Sequence, residues 1–120
     1  MYKVSKRSER VASVIKRQLT TFLRQKMSDS MLRKLSITCV DISPDLRNAK
    51  IFIMPPFGVD NSDELVVRLT KNASYIRREM AQSSELRFIP KLSFHIDSFL
   101  IKANKLTDLL NKHAIPESES

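Results

Sequence analysis

Along the first quarter of the chain, apolar residues recur with the period of a helix. At 100° per residue, Val11, Ile15, Leu19 and Phe22 fall within about 80° of one another, with Ala12 and Leu23 alongside. The opposite side carries Lys6, Arg10, Arg17 and Arg24 inside about 40°. The spacing predicts a helix over residues 8–26, with Ser8 as its N-cap and Glu9 at the positive end of its dipole. Such a helix offers a core anchor on one side and a rail of cations on the other. Residues 27–35 read as a loop that tucks Met31, Leu32 and Leu35 against the core.

The period then drops to two. Thr38, Val40 and Ile42 alternate with Ile37, Cys39 and Asp41, and Ala49, Ile51 and Ile53 alternate with Lys50, Phe52 and Met54. Both stretches are rich in β-branched residues and predict strands. Between them, Ser43-Pro44-Asp45-Leu46-Arg47 contains none of the glycine pairs that drive a two-residue turn. Pro44 favours an extended Ser43, and Asp45 can accept from nearby backbone N–H groups, so a proline-led hairpin loop of about four residues is expected. Pro55-Pro56-Phe57-Gly58 ends the second strand, and Gly58 is the only glycine in the chain.

Asn61 and Glu64 have capping-box spacing and predict a helix running to about Gln82, buried along Leu65, Val66, Leu69, Ala73, Ile76 and Met80. The weak helix formers Asn72, Ser74 and Tyr75 predict a bend within it. Residues 86–97 predict a third strand, with Leu86, Phe88, Leu92, Phe94 and Ile96 on one face and Arg87, Lys91, Ser93, His95 and Asp97 on the other. Pro90, on the apolar parity, marks a bulge or an edge there. Ser98 caps a last helix carrying Phe99, Ala103, Leu106 and Leu110. The order α-β-β-α-(kink)-α-β-α predicts an α+β fold, a three-stranded mixed sheet packed by helices. At 120 residues the chain is expected to form one domain, residues 1–115, followed by a disordered tail, 116–120.

Charge narrows the function. The net charge is +8, and residues 1–35 carry ten Lys and Arg against only Glu9 and Asp29, while the remainder balances. A surplus concentrated in this way draws a protein toward phosphate polymers or anionic surfaces. Nucleic acid is the leading partner class; a membrane surface or a merely solubilising role are the alternatives. No apolar run approaches the ~18 residues that span a bilayer. The N-terminus lacks the apolar segment of a secretory signal, and its Arg-rich amphipathic character leaves a mitochondrial presequence as a weaker alternative. One cysteine excludes an internal disulfide and suits a reducing compartment. Cys39 and only two histidines, His95 and His113, are too few soft ligands for structural zinc.

Catalytic constellations are missing. There is no Walker loop, H-E-x-x-H or G-x-S-x-G. His95 lies on the polar parity of its strand, His113 falls near a helix end, and Cys39 reads as an inert thiol. Asp41 and Asp45 have edge and turn roles that explain them. The chain is therefore expected not to be an enzyme and to need no cofactor or small-molecule substrate.

Four segments, "SERVASVIKRQL", "VDISPDLRNAKIFI", "ASYIRREM" and "LRFIPKLSFHID", occur in this order. Together they closely resemble the ribosome-binding factor A family over about Ser8 to Leu110. The resemblance implies a type II KH-like fold and a cytoplasmic, monomeric ribosome-maturation factor. It implies binding to the immature 30S subunit and its 16S rRNA near the 5′ end helix and decoding region, late in assembly and 16S rRNA processing, with departure before translation. It also implies an Ala-x-Gly kink in place of the phosphate-clamping GXXG loop of other KH domains. Here those positions read Ala73-Ser74-Tyr75, without the glycine. Three outcomes are open for Tyr75: a milder bend, a bend made by packing of its ring, or stacking on a base.

The candidate RNA-binding residues are accordingly Lys6, Arg10, Arg17 and Arg24 on the first helix; Arg47 and Lys50 at the hairpin; Arg68 and Lys71 before the kink; Ala73, Ser74 and Tyr75 in it; and Arg77 and Arg78 after it. Arg87 and Lys91 add charge on the last strand. Phosphate contacts of this kind position a protein without reading sequence, leaving specificity to the shape of the rRNA. A generic KH-type module for other transcripts, or a membrane-surface or protein-interaction role for the basic helix, are the alternatives.

Overall fold

Capping chemistry, helical period and strand alternation compete at several points of this chain. The computed structural model, which describes residues 5–56, 62–83 and 85–97, shows which of them prevails. Helix α1 spans Lys6–Lys26 and begins before the expected Ser8. Its N-cap is Ser5: the Ser8 N–H donates to Ser5 Oγ at 3.1 Å, and the Ser5 N–H donates to Ser8 Oγ at 2.9 Å. This reciprocal pair satisfies two otherwise orphaned donors, which Ser8 as the cap would not do. The helix buries Val14, Ile15, Leu19, Phe22 and Leu23, and Arg24 and Lys26 complement the dipole in its last turn.

The expected loop at 27–35 contains a short helix, α2, Ser30–Lys34. Asp29 caps it, with Oδ1 accepting from the N–H groups of Met31 at 2.9 Å and Leu32 at 3.4 Å. The single turn buries Leu32, and Leu35 follows it into the core.

Strand β1, Ser36–Ile42, pairs antiparallel with β2, Asn48–Met54, and β2 pairs parallel with β3, Lys91–Ile96. The sheet order is β1-β2-β3. The parallel step needs a long crossover, and helix α3, Ser62–Ser83, supplies it. β1 departs from simple alternation. Ile37 pairs with Ile53 and Cys39 with Phe52, so Thr38 is the extra residue of a β-bulge. The bulge places Ile37 on the same face as Val40 and Ile42, opposite Ile53, Ile51 and Ala49. The expected sharing of a face by Thr38, Val40 and Ile42 is thereby corrected. The Thr38 hydroxyl donates to Asp97 at 2.6 Å, tying the bulge to the end of β3.

The core joins Ala49, Ile51 and Ile53, none of them exposed, to Leu92 and Phe94 of β3, the α1 stripe, and Leu65, Leu69, Ile76 and Met80 of α3. Helix α1 packs on β1 and α3 on β3. Helical structure continues through Ala73-Ser74-Tyr75 without interruption. The expected kink, and with it the division of this segment into two helices, is thereby corrected: α3 is one helix, because Tyr75 has a Cβ and cannot freely take the positive φ that a sharp kink would need.

The hairpin loop has the expected four residues, Pro44 to Arg47. The Ser43 N–H donates to the Asn48 carbonyl and the Leu46 N–H to the Ser43 carbonyl, both at 2.9 Å. Asp45 Oδ1 accepts from Ser43 Oγ at 2.6 Å and from the Arg47 N–H at 3.0 Å. The left-handed residue that closes the loop is Leu46, at φ 62°, where glycine would be usual. Its side chain packs against the core, and that contact offsets the strain.

The third strand is shorter than expected. Residues 85–88 bend, Ile89 and Pro90 are both buried, and β3 begins at Lys91. Two consecutive buried residues break the parity, so Phe88 is 55% exposed instead of lying on the core face. The expected cap at Asn61, the last helix from Ser98 and the tail lie outside the described residues.

Ile51→Ala should cost about 2–5 kcal/mol in denaturant unfolding, the usual range for deleting a buried Ile, whereas Val67→Ala, on an exposed helix position, should stay within about 0.5 kcal/mol. Asp45 offers a pH test. Its bonds from the Ser43 hydroxyl and the Arg47 N–H hold its pKa below the usual carboxylate range. A depressed folded-state pKa contributes stability above the unfolded value, roughly 3.9, and loses it as pH falls through the folded one. The stability difference between wild type and Asp45→Asn should therefore be present at neutral pH and shrink on acidification below about pH 4.

Candidate nucleic-acid interface

Because α1 turns its apolar stripe inward, its opposite side must face solvent, and Lys6, Arg10, Arg17 and Arg24 are all exposed. At 1.5 Å per residue, the rail from Lys6 to Arg24 is about 27 Å long. Arg17 Nη2 pairs with Glu85 Oε1 at 2.7 Å, with both side chains largely in solvent. An exposed pair of this kind is worth roughly 0–1 kcal/mol, so a phosphate can displace the carboxylate at little cost.

Two clusters form at the ends of α1. At its start, Arg7 and Arg10 face Arg47 of the hairpin and Arg87 of the segment before β3 across an open hollow of about 690 Å³. At its end, Arg24 lines a smaller hollow with Arg33 and Lys34 of α2. Arg7, Arg33 and Lys34 are absent from the sequence-based set. Arg7 lies about 60° or more off the rail on the helical wheel, and Arg33 and Lys34 fall where a loop was expected. Their common trace in the sequence is the cationic surplus of residues 1–35.

The α3 candidates divide. Arg68 is held internally: it donates to Asp29 Oδ2 at 3.1 Å and to Glu64 Oε1 at 2.8 Å, joining α3 to the α2 cap. Arg77 is half-buried, with Nε donating to the Ile89 carbonyl at 2.9 Å and its guanidinium 5.2 Å from the Phe88 ring centre. Lys71, Ser74 and Arg78 are exposed and Ala73 is half-buried. Tyr75, 40% exposed, sets its ring 6.1 Å from that of Phe22, with Arg78 at 6.0 Å from the Tyr75 centroid. Boundary packing is thus the role its ring occupies. Lys50 is half-buried opposite Asp41 in the β1–β2 register, and Lys91 is exposed.

Groups that could have carried chemistry are arranged otherwise. Asp41 and Asp45 do not form a carboxylate pair, since Asp41 is buried on β1 and Asp45 is bonded within its loop. His95 is exposed, with its ring 5.6 Å from Phe52 and Nε2 3.1 Å from the Ser93 hydroxyl. Burial, then the charges of Asp41 and Asp97, push the Cys39 thiol above its ordinary pKa, so it stays protonated at neutral pH. Among the described residues no cluster of His, Cys, Asp and Glu could hold a metal ion, and no helix is long and apolar enough to cross a membrane.

Residues 7–110 match the family model of ribosome-binding factor A. The chain belongs to the ribosome-binding factor A family. The ribosome-binding factor A of Coxiella burnetii (strain RSA 493 / Nine Mile phase I) is 38% identical over 117 residues, covering 98% of this chain and 97% of the relative. That of Aromatoleum aromaticum is 30% identical over 112 residues, covering 93% and 88%. The crystal structure of ribosome-binding factor A from Thermus thermophilus superposes with a TM-score of 0.62 at 19% identity, over 74% of this chain and 94% of that one. A homology model of the Thermus thermophilus factor, fitted into a cryo-EM map of a 30S complex, gives 0.57 at 19% identity, over 70% and 88%. The fold is therefore KH-like, with α3 running along the three-stranded sheet.

Salt titration separates the internal cation from the exposed ones. Replacing Arg10 and Arg47 together by Gln should flatten the slope of log affinity against log salt by about 0.7 for each phosphate of a single-stranded RNA that is no longer neutralised. Arg68→Gln should leave that slope unchanged and lower the melting temperature instead.

Proposed function

We propose that this protein is a cytoplasmic, non-catalytic ribosome-maturation factor that binds the immature 30S subunit. In this reading it contacts 16S rRNA in the 5′ end region and assists late assembly and 16S rRNA processing. The observation that carries the reading is the exposed rail of Lys6, Arg10, Arg17 and Arg24, set on a helix whose other side is locked into the core. A rigid row of cations engages a phosphate backbone without first having to be ordered, so little of the binding free energy is lost to entropy. Family membership and the fit of the Thermus factor's homology model into a 30S map support the same partner.

In this reading Arg47, Lys71 and Arg78 extend the contact beyond α1, and Ala73, Ser74 and Tyr75 on α3 belong to the same surface. Arg68, Arg77 and Lys50 act mainly as braces, because each already faces a carboxylate or carbonyl. Specificity on this account comes from the shape of an rRNA junction that places phosphates at both ends of α1.

Cosedimentation with immature 30S particles over a salt series tests the proposal. Wild type should bind at low salt and weaken steeply as salt rises. Neutralising Lys6, Arg10, Arg17 and Arg24 together should abolish pelleting and leave precursor 16S rRNA to accumulate in cells, while the melting temperature is retained. Undiminished binding of the folded quadruple variant would refute the role given to the rail.

A further inference from the structure

Phe88 is the most exposed of the large apolar side chains among the described residues, and the packing around it explains why it stays in solvent. Ile89 and Pro90 are drawn into the core one after the other, which turns Phe88 outward just before β3. Arg77 then fixes the segment: its Nε donates to the Ile89 carbonyl at 2.9 Å while its guanidinium lies 5.2 Å from the Phe88 centroid. The ring is held in place by a cation on a helix and does not collapse onto the core.

The surroundings of the ring are basic. Phe88 stands between two hollows, of about 690 Å³ and 350 Å³, and lines both. Arg77, 5.2 Å from the ring centre, lines the smaller hollow, whereas the larger one is lined by Phe88 without Arg77. Around that larger hollow stand Arg7, Arg10, Arg47 and Arg87. Its two acids are already engaged, Asp45 by the Ser43 hydroxyl and the Arg47 N–H, and Glu85 by Arg17. The volume lies within the range of about 300–1,000 Å³ typical of small-molecule sites, enough for a nucleotide. An exposed aromatic face among arginines is what single-stranded nucleic acid requires, bases on the ring and phosphates on the guanidinium forks.

We infer that the hollow between the start of α1, the hairpin and the segment before β3 is a single-strand RNA site, in which an unpaired base stacks on Phe88 while Arg7, Arg10, Arg47 and Arg87 hold the flanking phosphates. The inference rests on the RNA-binding reading above and adds to it a place and a chemical mode, stacking, that the rail does not provide. Arginine is suited to the role because its planar fork binds phosphate in two-point fashion.

Binding of the full chain to a single-stranded RNA of about ten nucleotides, within the usual site size, and containing 2-aminopurine provides the test. Wild type should quench the 2-aminopurine fluorescence on binding. Phe88→Ala should abolish the quench and weaken affinity roughly 5- to 150-fold, the range of one lost base–aromatic stack, with the salt slope unchanged. Phe88→Tyr should restore both affinity and quench, and Phe88→Leu, which keeps apolar bulk without a π-face, should behave as Ala. An abasic site in place of the 2-aminopurine should weaken wild type and leave Phe88→Ala unaffected. Full affinity in the Leu variant, an unchanged Ala variant, or displacement of the RNA by polyglutamate at equal concentration would overturn the stacking site. Parallel 30S cosedimentation keeps the two claims apart: a wild type that pellets with 30S but shows no Phe88 dependence in the RNA assay sinks this inference alone, whereas a wild type that fails to pellet sinks the functional reading.

Discussion

Covering one face of β2 is the constraint from which most of this molecule follows. Ala49, Ile51 and Ile53 are fully buried, and at roughly 25 cal/mol per Å² the apolar surface they remove from water is a main source of stability in so small a sheet. A central strand of this kind needs helices whose apolar stripes match it in length, and α1 and α3 have them. Once the stripe of α1 is committed inward, its cations have nowhere to go but outward. The charged surface is thus a consequence of the core, and a change that loosened α1 would scatter the rail as well as weaken the fold.

The connections show how a chain with one glycine solves problems that glycine usually solves. The hairpin takes its left-handed residue at Leu46 and holds it with Asp45, Ser43 and a core contact. The β-bulge at Thr38 restores the inward facing of Ile37 without a glycine, and the Thr38 hydroxyl finds a partner in Asp97. At Ala73-Ser74-Tyr75, where the chain has no glycine, α3 is continuous, with Tyr75 packed beside Phe22. Each solution fixes the chain by side-chain bonding or packing where a glycine would leave it free. A surface held this way keeps its exposed cations in fixed positions.

The cations fall into two kinds that charge alone does not distinguish. Arg68 donates to Asp29 and Glu64, and Arg77 donates through Nε to the Ile89 carbonyl; these bonds tie α3 to the α2 cap and to the segment before β3. Lys6, Arg10, Arg24 and Arg47 extend into solvent, and Arg17 is only loosely held. The first kind shapes the surface that the second kind presents. Phe88 stands where the two kinds meet, turned outward by the burial of Ile89 and Pro90 and held there by Arg77.

Local sequence was sufficient wherever one short-range rule acted without a rival. The helical period of residues 11–23, the alternation of 48–54, the four-residue proline-led loop and the α3 stripe all appear in the fold, because each depends on neighbours within a few positions. The motifs of the four family-like segments were specific enough to indicate the family, and the clustering of charge in residues 1–35 indicated a basic surface. Tertiary structure decided the rest. Whether Ser5 or Ser8 caps α1 depends on a reciprocal bond, and the face taken by Ile37 depends on a bulge defined only by its partner strand. Phe88 points outward because Ile89 and Pro90 fill the core ahead of it. Which arginines face solvent, and which of them meet across the hollow beside α1, depends on residues tens of positions apart; charge and periodicity are read along the chain, whereas a site is made by what the packing brings together across it.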